Sequence, residues 1–167
     1  MPIRTLSSPT EAEHCARMMS SSEPWKTLGR SYDACLARMR DETKERYVAV
    51  EEDGSPPRGF IIVNMEGPLP GYIQTVCVAP EARGKGVGAD LVRFAEERIF
   101  RDSPNVFLCV SSFNPRARKL YERLGYTVIG SLDDYLVRGH AEILMRKSIG
   151  PLDEFRRQEW ERRDERR

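Results

Sequence analysis

The chain has 167 residues, which suits one domain with a full hydrophobic core and leaves no room for a second. It is 40% hydrophobic and 32% charged, the ordinary balance of a soluble globular protein. With 27 Lys and Arg against 26 Asp and Glu, the formal charge of +1 excludes a general electrostatic attraction to nucleic acid or anionic lipid, so partners must be argued from local sites.

Pro2 to Leu6 reads as an edge strand. Ser8-Pro9-Thr10-Glu11 follows as a helix start in which the serine caps and Glu11 reaches back to it, and the helix runs to about Met19. Pro24 and Gly29 break the pattern, and Tyr32 to Arg40 resumes it with Cys35, Leu36 and Met39. Three strands come next, Tyr47 to Glu51, Gly59 to Met65 and Tyr72 to Val78. The turn-rich stretches between them, Glu52 to Pro57 and Glu66 to Gly71, suit antiparallel hairpins. Val87, Leu91, Val92, Phe94, Ala95 and Ile99 then mark a helix buried on one side. Val106 to Val110 is continuously apolar, as a central parallel strand should be. Asn114 to Gly125 forms a short helix, with Asn114 as N-cap, Pro115 at its first position and Gly125 as its stop. Tyr126 to Ile129 and Ala141 to Met145 supply two closing strands around the Asp133 to Gly139 connection.

This gives one domain over residues 1–150. Residues 151–167 differ in composition: Asp153, Glu154, Glu159, Glu161, Asp164 and Glu165 balance Arg156, Arg157, Arg162, Arg163, Arg166 and Arg167, with few large apolar side chains. Such a tail is a charge-laced helix or a disordered end, and its balanced charge argues against a nucleic-acid arm. Cys15, Cys35, Cys77 and Cys109 are widely spaced and only His14 and His140 accompany them, so neither a zinc site nor a disulfide framework is indicated. The first ten residues are too polar for a signal peptide, and no apolar run approaches ~18 residues, so a cytoplasmic protein with free thiols and no membrane association is expected.

The chemistry concentrates in Val76-Cys-Val-Ala-Pro-Glu-Ala-Arg-Gly-Lys-Gly-Val-Gly88, a β-branched run, a short connection and a glycine-rich turn opening a helix. Gly84, Gly86 and Gly88 carry no Cβ, so backbone N–H groups can converge on phosphate oxygens at the positive end of the helix dipole, with Arg83 and Lys85 adding charge. A Walker loop is excluded because Lys85 is followed by Gly86 and not by a hydroxyl. A dinucleotide fingerprint fits poorly: Ala79 to Ala82 separate the strand from the glycines, and the next strand ends in Ser111 and Ser112 where a ribose-binding acid is needed. Taken alone, the motif could be a ligand-free helix entrance.

The second segment changes that reading. Arg83-Gly-Lys-Gly-Val-Gly88 followed by Asn114-x-x-Ala-x-x-Leu-Tyr-Glu-x-Leu-Gly-Tyr126 resembles the acetyl-CoA loop and following helix of the GNAT superfamily of N-acetyltransferases, over roughly residues 3–148. The asparagine-to-tyrosine segment and the closing strands resemble most the ribosomal-protein alanine N-acetyltransferase branch. The resemblance implies a mixed α/β fold: a mostly antiparallel twisted sheet of about seven strands, flanked by four helices, with the fourth and fifth strands splayed apart. It further implies that Val76, Cys77 and Val78 bind the pantetheine amides through their backbone, that Arg83, Gly84, Lys85, Gly86, Val87 and Gly88 hold the pyrophosphate, and that Asn114 holds the pantetheine or acetyl region. Tyr121 matches the family tyrosine that protonates or hydrogen-bonds the leaving sulfur.

The base is harder to place. That branch has a glutamate where this chain has Cys109, and Tyr72-Ile-Gln-Thr75 offers no acid on the fourth strand. Glu66, beside the hairpin, is the nearest carboxylate by sequence. A relay held by Gln74, Tyr72 or Ser111 is the alternative. Cys77 or Cys109 as a nucleophile is weak, since neither histidine is placed to activate it. Trp25 either lines the acceptor site or belongs to the core, and His140, just before the last strand, is expected to be structural or solvent-facing rather than catalytic.

The expected function is acetyl transfer from acetyl-CoA to a primary amine, of a small molecule or of a protein N-terminus, by direct attack in a ternary complex; the fold also allows a homodimer. The alternative is a non-catalytic acyl-CoA-binding module, against which Tyr121 argues. NAD(P)-dependent chemistry is the third reading, and it predicts no affinity for CoA.

Overall fold

The computed structural model describes residues 1–164, with side chains described to Trp160. Along the chain come β1 (Ile3–Thr5), α1 (Pro9–Ser20), α2 (Tyr32–Arg40), β2 (Glu45–Ala49), β3 (Gly59–Asn64), β4 (Tyr72–Val78), a 3₁₀ turn (Pro80–Ala82), α3 (Val87–Ile99), β5 (Asn105–Ser111), α4 (Pro115–Arg123), β6 (Thr127–Asp133), β7 (Ala141–Ser148) and α5 (Leu152–Asp164). The strands form one seven-stranded sheet in the order β1-β2-β3-β4-β5-β7-β6, antiparallel throughout except for the parallel β4–β5 pair. The expected mixed α/β architecture with a mostly antiparallel sheet is the observed one, and α5 adds a fifth helix to the four anticipated around it. No helix among the described residues is long and apolar enough to cross a membrane.

Phe60, Ile61, Ile62 and Val63 of β3 are completely buried, so both faces of the sheet are covered at its centre. At about 1.5–3 kcal/mol per large side chain, this run alone is a substantial part of the folding drive. Leu91, Val92, Ala95 and Ile99 of α3 and Cys15, Ala16 and Met19 of α1 belong to the same core. The helix starts follow the expected capping. Ser8, Ser31 and Asn114 each accept a first-turn N–H of α1, α2 and α4. Glu11 differs in detail: its carboxylate takes the Ser7 N–H at 2.9 Å and pairs with Arg4 at 2.6 Å, clasping β1 to α1.

Three strand boundaries depart from the pattern in the sequence, one of them the end of β7, which runs past Met145 to Ser148 because its pairing with β5 continues to Asn105. β2 lies earlier than the apolar run suggests, because Arg98 pairs with Glu45 at 2.6 Å and lets a polar residue occupy a half-buried ladder position. β6 extends through Gly130 and Ser131 to Asp133, since an exposed edge strand needs no apolar alternation once β7 supplies its hydrogen bonds. Tyr126 precedes that strand and packs inward, its N–H donating to the Tyr121 carbonyl at 3.0 Å.

Candidate active site

The site originates in a failure of strand pairing. β4 and β5 are in register only at Tyr72–Phe107 and Ile73–Leu108; from Thr75 onward β4 pairs with β3 alone, while β5 pairs with β7 along its whole length. The strands therefore splay and leave the β5-facing side of β4 open. The shift in the β3 register between Ile62 and Val63 leaves Gln74 unpaired as a bulge, the usual device for re-aiming a side chain. Two clefts flank the opening.

The first, of about 560 Å³, is lined by Val76, Cys77, Val78, Arg83, Gly84, Gly86, Val87 and Gly88 on one side and by Asn114, Arg116, Leu120, Tyr121 and Arg123 of α4 on the other. Gly84 and Gly86 have φ of 77° and 86°, conformations costly for any residue with a Cβ. Space at both is open, so the demand for glycine comes from backbone conformation and not from protein packing. Gly86 is the N-cap of α3 and provides no side-chain cap, which leaves the first-turn N–H groups facing an anion site. Arg83 is fixed from within, donating to the Val78 carbonyl and to Ser22 Oγ, both at 3.0 Å. These features fit a pyrophosphate on the helix end and an extended amide chain along open β4.

The second cleft, of about 320 Å³, lies toward the start of β4 and includes Arg30, Arg38, Tyr72, Gln74, Ser111, Tyr135 and Glu142. Gln74 Oε1 is buried here without a hydrogen-bond partner, an acceptor awaiting an N–H. The Ser111 hydroxyl donates to Glu142 Oε1 at 2.6 Å, and both residues are buried.

The clefts share Glu23, Trp25, Val76, Asn114, Ala117 and Tyr121. Tyr121 is 8% exposed, and burial pushes its hydroxyl up to about 12, so it is protonated at neutral pH. Its ring packs edge to face on Tyr126 at 5.9 Å. Asn114 is held by its capping role, with Oδ1 accepting from the Ala117 N–H. Trp25 is 8% exposed and borders both spaces, so it is core and lining at once. Desolvation raises the Cys77 thiol to about 12 and raises Cys109 as well, leaving both un-ionised and poor nucleophiles at neutral pH. His140 packs edge to face on Phe113.

The residues anticipated for the cofactor thus converge, except Lys85, which is exposed and outside the lining. Glu66 also lies outside both clefts, exposed in the β3–β4 hairpin with its N–H on Asn64 Oδ1 at 3.1 Å. The relay residues Tyr72, Gln74 and Ser111 do line the second cleft. Sequence reasoning missed Glu23, Arg30, Arg38, Arg116, Arg123 and Glu142. Only Glu142 left a signal, a carboxylate inside the apolar run of β7.

The chain is similar to known proteins in sequence and in fold. The sequence model of the Acetyltransferase (GNAT) family matches residues 11–126. The S-(2-succino)cysteine N-acetyltransferase of Bacillus subtilis (strain 168) is 30% identical over 139 residues, 76% of this chain and 83% of that protein. The mycothiol acetyltransferase of Mycobacterium sp. (strain JLS) is 30% identical over 136 residues, and there the match spans 75% of this chain but only 45% of the relative. Among solved structures, an aminoglycoside 6'-N-acetyltransferase complexed with coenzyme A superposes with a TM-score of 0.71 at 19% identity, covering 90% of this chain and 98% of that one. The ribosomal-protein-S18-alanine N-acetyltransferase of Escherichia coli does so with a TM-score of 0.68 at 19% identity, covering 90% and 94%.

Proposed function

The chain belongs to the GNAT acetyltransferase family, and from that premise we propose that it acetylates the amino group of a small molecule by direct transfer at the junction of the two clefts. It is an N-acetyltransferase and uses acetyl-CoA. The observation that carries the acceptor side of the reading is the position of Tyr121, a protonated phenol bordering both spaces.

Bound acetyl-CoA supplies a thioester, an acyl group activated toward amines. In the first cleft the α3 amides and Arg83 hold the pyrophosphate, Arg116 and Arg123 add cations for further phosphate, and the open side of β4 over Val76 to Val78 takes the pantetheine amides. In the second cleft the acceptor nitrogen gives up a proton to Ser111 Oγ as Ser111 passes its own to Glu142 Oε1; the nitrogen then attacks the carbonyl carbon. As the C–S bond breaks, Tyr121 would give its proton to the departing thiolate, and the second proton of the acceptor nitrogen would pass to the phenolate, leaving the amide, the free thiol and one proton on Glu142. This assigns to Glu142 the role for which Glu66 is too remote, and the raised thiols of Cys77 and Cys109 favour direct attack over an acyl-cysteine route.

Relatives named for a cysteine conjugate and for mycothiol support a small-molecule acceptor. A cleft of about 320 Å³, the size of a small ligand, supports the same reading over a protein N-terminus. For assembly as a homodimer, the free edge at β6 is the candidate surface, with Val128 and Ile129 about half exposed; sedimentation over a concentration series tests it. The functional test is thiol release from acetyl-CoA with a panel of amines. Intersecting initial-rate lines are expected for a ternary complex, and parallel lines would indicate an acyl-enzyme.

A further inference from the structure

The half-buried arginines of this protein are, as a rule, spoken for. Arg98 pairs with Glu45, Arg4 with Glu11 and Arg58 with Glu51 and Glu81, while Arg46 donates to the Met39 carbonyl and Arg146 to Asn105 Oδ1. Arg30, in the segment joining α1 to α2, and Arg38, on α2, are the exceptions. Both line the second cleft, both are half-buried, and neither has an ion pair or side-chain hydrogen bond among the described residues. Their charges also oppose each other: desolvation, and then the nearby charge of Arg30, lower the Arg38 pKa. Two like charges held together in a partly desolvated cleft destabilise the empty protein, and a bound anion relieves that cost. Glu23 does not serve as that anion. It is exposed, accepts the Thr27 N–H at 3.2 Å, and lies beyond ion-pairing distance of either guanidinium.

The other wall of the cleft has the opposite character. Glu142, hydrogen-bonded to Ser111, and the unpartnered Gln74 Oε1 present acceptors where an amine would sit. The cleft is therefore dipolar, with cations on the helical side and acceptors on the sheet side. From this we propose that the acceptor is an amine that also bears a carboxylate, an amino acid or amino-acid conjugate, with its carboxylate held by Arg30 and Arg38 and its amino group turned toward Ser111, Glu142 and Tyr121. Guanidinium groups favour carboxylates because their planar fork can bond both oxygens at once.

This deepens the small-amine reading and rests on it, so the experiment separates the two. Thiol release from acetyl-CoA is measured with free amino acids and S-substituted cysteines, with the matched amines lacking the carboxylate, with polyamines and aminoglycosides, and with phosphoethanolamine as an anion of different shape. The expected result is that the highest kcat/KM belongs to carboxylate-bearing amines and falls at least about tenfold in the matched decarboxylated compounds. R38Q and R30Q should raise KM for the carboxylate-bearing amine by about ten- to a hundredfold more than for its decarboxylated counterpart, with little change in kcat, and R38K should recover part of the loss. Fastest turnover of an amine without a carboxylate, phosphoethanolamine included, or an equal effect of R38Q on both members of a pair, overturns the carboxylate assignment and leaves the acetyltransferase reading intact. CoA binding without thiol release for any amine overturns the small-amine reading itself.

Discussion

The two clefts that meet at Tyr121 are made of different material. The cofactor cleft is largely backbone: unpaired β4, the glycine turn and the uncapped start of α3, with α4 opposite, so that all of its lining but Glu23 and Trp25 comes from two short runs of sequence. The acceptor cleft is largely side chains, brought from the α1–α2 segment, α2, β4, β5 and β7. A site made of main chain is damaged by adding atoms, and one made of side chains by removing them. The same contrast explains how a single fold keeps one cofactor and changes acceptors: side chains can be exchanged without moving the strands that carry them.

Substitutions at the junction should break this contrast most severely. Glu142→Gln keeps size and one hydrogen bond to Ser111 but cannot take a proton, so kcat should fall by about a hundred- to ten-thousandfold while CoA affinity holds. Steady-state rates beside calorimetry of CoA binding check this, and a normal rate would return the base to a water path. Tyr121→Phe keeps the packing on Tyr126 and should lower kcat by about ten- to a thousandfold, again with CoA affinity unchanged. Because burial holds its hydroxyl near 12, the protonated form is present below that value, and the pH profile of the wild type should show no alkaline loss attributable to Tyr121 until pH approaches 12.

On the cofactor side the sign reverses. Gly86→Val adds a side chain at φ 86° in the anion turn and should weaken CoA binding by about tenfold or more, read by calorimetry with the circular dichroism spectrum as control. The smallest effect should follow truncation after Gly150. Trp160 of α5 is 76% exposed and Asp153, Glu154, Arg156 and Arg157 of that helix are exposed as well, so soluble, CoA-binding protein is expected; loss of folding would show that Phe155 holds the helix to the domain.

The material of each cleft also decided what could be read from the sequence. Gly84, Gly86 and Gly88 and the capped, glycine-stopped α4 are local signals, because backbone geometry is dictated by neighbours in the chain. α2, β4 and α3 lie where the hydrophobic pattern puts them for the same reason. Arg30 and Arg38 look like any solvated basic residues, since what distinguishes them is a missing partner that only three dimensions can disclose. Glu66 was the converse case: near β4 in sequence, but carried away from the site by its hairpin. β6 was read too short because its fourth to seventh residues are held by β7 and not by their own pattern.

The brief contact between β4 and β5 has a mechanical side as well. Only two registered pairs couple the β1–β4 half of the sheet to the β5–β7–β6 half, so this seam should be the weakest line in the sheet, the first to open in native-state hydrogen exchange. A ligand lying in the splay, bonded to β4 on one side and α4 on the other, rivets the halves together. At a hundredfold excess over its dissociation constant it would add about 2.7 kcal/mol, or roughly 5–10 °C of melting temperature for a chain of this size. The added protection should spread from Gln74 across to Cys109, so that the cofactor acts as the missing length of strand in the sheet that binds it.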